Sequence, residues 1–82
     1  MEYLVTGADQ AGQILRGFRK ELGLTQAQVG QRMGVPQKEI SRLENGSGKT
    51  SVDRLFALMS ALEIEMVLRP RGFEIQTSPE NW

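Results

Sequence analysis

Four polar residues near the middle of the chain, Gln37, Lys38, Ser41 and Arg42, are spaced so that one face of a helix carries them all, with Glu39 beside them. Their chemistry suits base edges in a DNA major groove. Gln can bond adenine N6 and N7 together, Lys and Arg can donate to guanine O6 and N7, and Ser is small enough to approach base or phosphate. Each is uninformative alone, since any short surface helix presents such residues to water. Their setting gives them weight. In QAQVGQRMGVPQKEISRL, residues 26–43, Gly30 is small where two helices must cross, and Gly34 permits a tight turn. Val29, Met33, Val35, Ile40 and Leu43 are apolar where a helix pair must bury itself, which leaves the four polar residues outward. Gln26, in the first turn of the preceding helix, can offer side chain and backbone N–H to phosphate, and Lys49 with the amides around Thr50 can hold a second phosphate.

Other chemistries are poorly supplied. The 82 residues include no Cys and no His, which excludes disulfides, Cys- or His-ligated metal, a Ser-His-Asp triad and a Cys-His dyad within this chain. No side chain stands out as a nucleophile or base, so we expect no enzyme, no cofactor and no metal. GSGKT, residues 46–50, resembles the end of a phosphate-binding loop, but that pattern requires Gly at position 43, where Leu43 stands, and no strand precedes it. The ten basic and ten acidic residues cancel. They are unevenly placed: residues 1–15 hold Glu2 and Asp9 and no base, residues 55–82 are also acidic, and residues 16–54 hold eight bases against four acids. A modest basic block therefore lies between acidic ends. No run approaches the roughly 18 apolar residues of a membrane span, and the first ten residues lack a signal-peptide pattern, so a soluble cytoplasmic protein is expected.

One small domain must position these groups, and its elements can be placed from capping and periodicity. Thr6 with Asp9 makes an N-cap pair for a first helix whose apolar positions are Ala8, Ala11, Ile14, Leu15, Phe18 and Leu22, closed by Gly23. Gly12 and Gly17 weaken that helix, which therefore depends on tertiary contact. Thr25 and Gln28 form a capping box for a second helix running to about Met33. Pro36 suits the first position of a third helix, which Asn45-Gly46 closes. Thr50, with Asp53 as its partner, caps a fourth, whose Val52, Leu55, Phe56, Leu58, Met59 and Leu62 give a broad apolar face.

After Leu62 the period becomes two, with Ile64, Met66 and Leu68 alternating with Glu65, Val67 and Arg69 until Pro70. A lone strand leaves its backbone groups unpaired. Either residues 73–77 (FEIQT) fold back as a hairpin, or the strand pairs with its copy in a second subunit, which a core this small favours. Residues 1–70 are thus expected to form a mainly α DNA-binding and dimerisation domain with one C-terminal β-strand. Residues 71–82, rich in Gly, Ser, Pro and Asn, read as a flexible tail.

LGLTQAQVGQRMGVPQKEISRLENG, residues 22–46, resembles the phage-repressor (lambda repressor-like) and Xre class of helix-turn-helix proteins, whose marks are LTQ, the Gly34 turn and LENG. With the fourth helix leading into EIEMVLRPR, the match extends over residues 8 to 70 and resembles the HipB-type antitoxins. That resemblance implies a repressor of its own operon that binds double-stranded operator DNA as a homodimer, pairs its strands between subunits, and binds a HipA-type Ser/Thr kinase toxin. It also assigns Gln37, Lys38, Ser41 and Arg42 to the groove and Gln26 to the DNA backbone, pairs Arg19 with the Glu44 of LENG, and suggests that Trp82 docks in the kinase. A stand-alone Xre-type repressor and a protein-interaction module on the same fold are the alternatives.

Overall fold

The computed structural model of the chain describes residues 2–46 and 50–72, which contain four helices: α1 (Ala8–Glu21), α2 (Gln26–Met33), α3 (Gln37–Glu44) and α4 (Val52–Ala61). Leu15 of α1, Val29 of α2, Ile40 and Leu43 of α3, and Leu58 and Met59 of α4 meet with Leu62 in one core. Phe18, Leu24, Met33, Val35, Leu55, Ala61 and Ile64 are half-buried around it. None of the described helices is long and apolar enough to cross a membrane.

The middle of the chain folds as its punctuation dictates. Both halves of the Thr25/Gln28 capping box form, with Gln28 N donating to Thr25 Oγ1 at 3.1 Å and Thr25 N to Gln28 Oε1 at 2.8 Å. At the other end of α2, Gly34 takes φ 72°, and the Val35 amide reaches back to the Gly30 carbonyl at 2.9 Å. Gly30 is needed by this turn: a Cβ there would lie 2.7 Å from the Val35 carbonyl oxygen. The close approach is thus to the chain entering α3, a little beyond the helix crossing that the spacing suggested.

Three helix starts differ from expectation by a residue or so. The N-cap of α1 is Gly7 and not Thr6, with no side-chain cap bond. Thr6 bonds Gln10 instead, its amide donating to Gln10 Oε1 at 2.7 Å, because the longer amide side chain reaches back where Asp9 does not. Pro36 is the N-cap of α3, in extended geometry with ψ 152°, and Gln37 is the first helical residue. Ser51, not Thr50, caps α4, its Oγ accepting from Arg54 N at 3.0 Å, while Thr50 is exposed just before it.

The apolar faces are also narrower than their patterns. Leu22 lies past the end of α1 and is exposed, and on α4 Val52 and Phe56 stay in solvent while Leu58 and Met59 fill the core. The chain leaves α4 through Glu63 at φ 59°, with the Ile64 amide bonding the Met59 carbonyl at 3.0 Å. Ile64 is half-buried against the core, and Met66, Val67 and Leu68 are exposed. No strand is present among the described residues, because backbone bonds to a neighbouring strand define one and residues 64–70 have none within the described chain. The candidate hairpin partner, residues 73–77, lies outside the described residues.

Candidate nucleic-acid interface

The short helix α3 sorts its side chains by face. Ile40, Leu43 and Glu44 are buried, Gln37, Lys38 and Arg42 are exposed, and Ser41 is half-buried at the margin. The structure therefore brings the four groove candidates onto one side, as their spacing requires. Two of the other candidates, Lys49 and Trp82, lie outside the described residues.

Behind this face lies a charged network that ties three helices together. The side chains of Arg19 (α1) and Glu44 (α3) are only 9% and 3% exposed, and they pair through two bonds, Nε to Oε2 at 2.6 Å and Nη2 to Oε1 at 3.1 Å. The third guanidinium nitrogen, Nη1, donates to the Leu24 carbonyl at 2.7 Å, fastening the connection between α1 and α2. An arginine fork satisfied on all three nitrogens can sit in the interior, where a lone charge could not. Gly12 lets α1 come close enough: a Cβ there would fall 2.7 Å from both the Glu44 carbonyl carbon and the Leu43 carbonyl oxygen.

Gln26 carries this network to the surface. Its Nε2 donates to Glu44 Oε1 at 3.0 Å, and its Oε1 accepts from Gln37 Nε2 at 3.4 Å. The polarity of the chain is forced. A carboxylate only accepts, so Gln26 must turn its NH2 to Glu44 and its carbonyl to Gln37, which must answer with N–H. Gln37 then has its own carbonyl and a second N–H left over, the acceptor and donor that adenine N6 and N7 require. The Gln26 side chain thus bridges Glu44 and Gln37, with a second N–H on Nε2 left over.

On the other flank of α3, Glu39 accepts from Arg42 Nη1 and from Arg54 Nη1 of α4, each at 3.4 Å. Sequence reasoning missed Arg54. A base in the first turn of a helix opposes the macrodipole, which is a signal that such a residue has an acidic partner. Arg69 Nη1 lies 3.8 Å from Glu2 Oε1, so the N-terminal arm reaches the segment that follows α4.

The helix-turn-helix family model HTH_3 matches residues 15–68, which contain the whole arrangement from Arg19 to Arg54. The antitoxin HipB of Escherichia coli O6:H1 strain CFT073 is 30% identical over 59 residues, covering 72% of this chain and 63% of that protein. The match therefore spans less than two thirds of this curated relative. Among solved structures, a HipB variant–O2 20mer complex superposes with a TM-score of 0.80 at 25% identity, covering 87% of this chain and 99% of that one. The restriction-modification controller protein C.AhdI from Aeromonas hydrophila gives a TM-score of 0.66 at 29% identity, covering 71% of this chain and 88% of that one.

Proposed function

We propose that this chain, which belongs to the helix-turn-helix family HTH_3, is a sequence-specific DNA-binding repressor of the HipB antitoxin type. The observation that carries the reading is the hydrogen-bond chain from Arg19 through Glu44 and Gln26 to Gln37. It supports the reading because Gln37, so bonded, would offer a base its carbonyl and one N–H, an orientation that a merely solvated glutamine does not need. Gln37, Lys38, Ser41 and Arg42 read base edges in the major groove, and the first amides of α2, Lys49 and Thr50 hold phosphates.

The unit that binds is a homodimer. Residues 65–70 have no partner strand among the described residues and carry the exposed Met66 and Leu68, which pairing with a second copy would satisfy. Two recognition helices related by a two-fold axis then enter successive major grooves about 34–36 Å apart, on an operator of matching symmetry. Residues 1–70 make up this binding and dimerisation domain, and residues 71–82 form a tail in which Trp82 docks a HipA-type kinase toxin. The likeness to HipB supports the partner, and autorepression of a shared operon follows from it.

A stand-alone regulator is the second reading, favoured by the likeness to the controller protein C.AhdI. One experiment separates them. The tagged chain is recovered from its native cells, treated with nuclease and washed with salt, and titrated in parallel with duplexes from its own upstream DNA. A kinase that stays bound, together with salt-sensitive preference for one duplex, is the outcome expected. Preference for a duplex with no bound kinase leaves the stand-alone regulator, and no preference for any duplex overturns DNA reading.

A further inference from the structure

Glu39 is the one acidic residue of α3 that is not buried, a poor neighbour for DNA phosphates unless it is neutralised. It is neutralised twice, by Arg42 three residues on in the same helix and by Arg54 in the first turn of α4. Its side chain is 27% exposed, against 54% for Arg42 and 38% for Arg54, so the carboxylate is the least exposed member of the trio. Each arginine gives Glu39 only its Nη1, and a guanidinium has five N–H donors in a rigid fork. Arg42 so held keeps donors free for guanine O6 and N7 while its freedom to seek phosphates is cut.

We infer that Glu39 is a specificity-determining positioning residue: it buttresses Arg42 for base reading and withholds Arg42 and Arg54 from indiscriminate phosphate contact. This rests on the DNA reading proposed above. A carboxylate with this role weakens binding to random DNA and sharpens the preference for the operator, because free arginines bind any phosphate equally well.

The test uses the full-length chain and a duplex that it selects from a random pool, titrated over a range of salt beside a scrambled duplex of equal length. Glu39→Gln keeps the shape and removes the charge. We expect its affinity for scrambled DNA to rise about threefold, with a salt slope steeper by about one counterion, and the selected-to-scrambled ratio to fall about fivefold or more. Arg54→Gln leaves Glu39 held by Arg42 alone, so it should change affinity for both duplexes little and keep the ratio. Equal losses on both duplexes with Glu39→Gln, or no change on either, would overturn the inference while leaving DNA reading intact. So would a loss of discrimination with Arg54→Gln, which also serves if Glu39→Gln does not fold. Failure of the unsubstituted chain to select any duplex would overturn both.

Discussion

Gly12 of α1 lies against the backbone of Glu44 in α3, with space for a hydrogen and none for a methyl group. Alanine is the better helix former by about 1 kcal/mol, but a Cβ at this crossing meets backbone, which cannot rotate away. We expect Gly12→Ala to destabilise the domain by about 1–3 kcal/mol. Gly17, five residues along the same helix, has nothing within 4 Å of its notional Cβ. Gly17→Ala should instead stabilise by up to about 1 kcal/mol. Thermal melts of the two variants, with a shift of about 4–8 °C per kcal/mol, should move in opposite directions.

The Arg19–Glu44 pair joins stability to recognition, and the two can be separated. Arg19→Met strands a buried carboxylate and should cost about 3–5 kcal/mol, a large part of the stability of a small domain. Adding Glu44→Leu removes the stranded charge and should restore most of the melting temperature. It should not restore operator binding, because Gln26 then lacks the acceptor that fixes its orientation. A double variant that recovers both properties would show that the network serves stability alone.

Gln26 and Gln37 touch one another, yet their loss should read differently. Gln37→Ala is expected to cost about 1–3 kcal/mol on the preferred duplex and little on scrambled DNA. Gln26→Ala removes the bond that sets Gln37, so it should also lower discrimination, and a double-mutant cycle should give a coupling of about 0.5 kcal/mol or more. Additive losses in titrations of the four proteins would mean that Gln37 orients itself without help.

Exposed apolar side chains on α4 and on the segment after it set a test of assembly. Leu68 is 83% exposed in the single chain, and Met66 lies two residues before it on the same side of an extended segment. Leu68→Asp should leave the fold and melting of the isolated domain near their starting values and shift the chain from dimer to monomer in sedimentation. Operator affinity should fall steeply with it, since each half-site is then bound singly. A dimer that persists would place the subunit contact elsewhere, with exposed Val52 and Phe56 as the next residues to change.

Local signals in the sequence were sufficient wherever a single residue type decides the backbone. Thr25 with Gln28 and the glycine at 34 announced the ends of α2, and the buried and exposed sides of α3 followed from its spacing. The capping patterns put the starts of α1 and α4 one residue early because Thr6 and Gly7, or Thr50 and Ser51, are adjacent residues of similar capping ability. What lay beyond reach were contacts between distant elements. Nothing local indicates that Gly12 faces Glu44, that Gln26 bonds Glu44, or that Glu39 and Arg54, on different helices, share an ion pair. Arg19 with Glu44 was anticipated only through the resemblance, since two charges so far apart carry no mark of each other in the sequence.

Glu63 holds a left-handed backbone conformation at the exit from α4, where glycine is the usual occupant and another residue bears about 1–2 kcal/mol of strain. On the proposed dimer this residue, with Ile64 packed against the core beside it, sets the direction in which the chain leaves the body that carries α3 for the segment that joins the two copies. It acts as the elbow of a lever. A few degrees at its φ or ψ swing the whole helical body, so that α3 travels along the DNA axis by far more than the local movement. The distance between the two DNA sites that the proposed dimer could span at once would then depend on a backbone angle outside the proposed recognition helix. Relaxing Glu63 to glycine would stabilise each subunit and blur that distance.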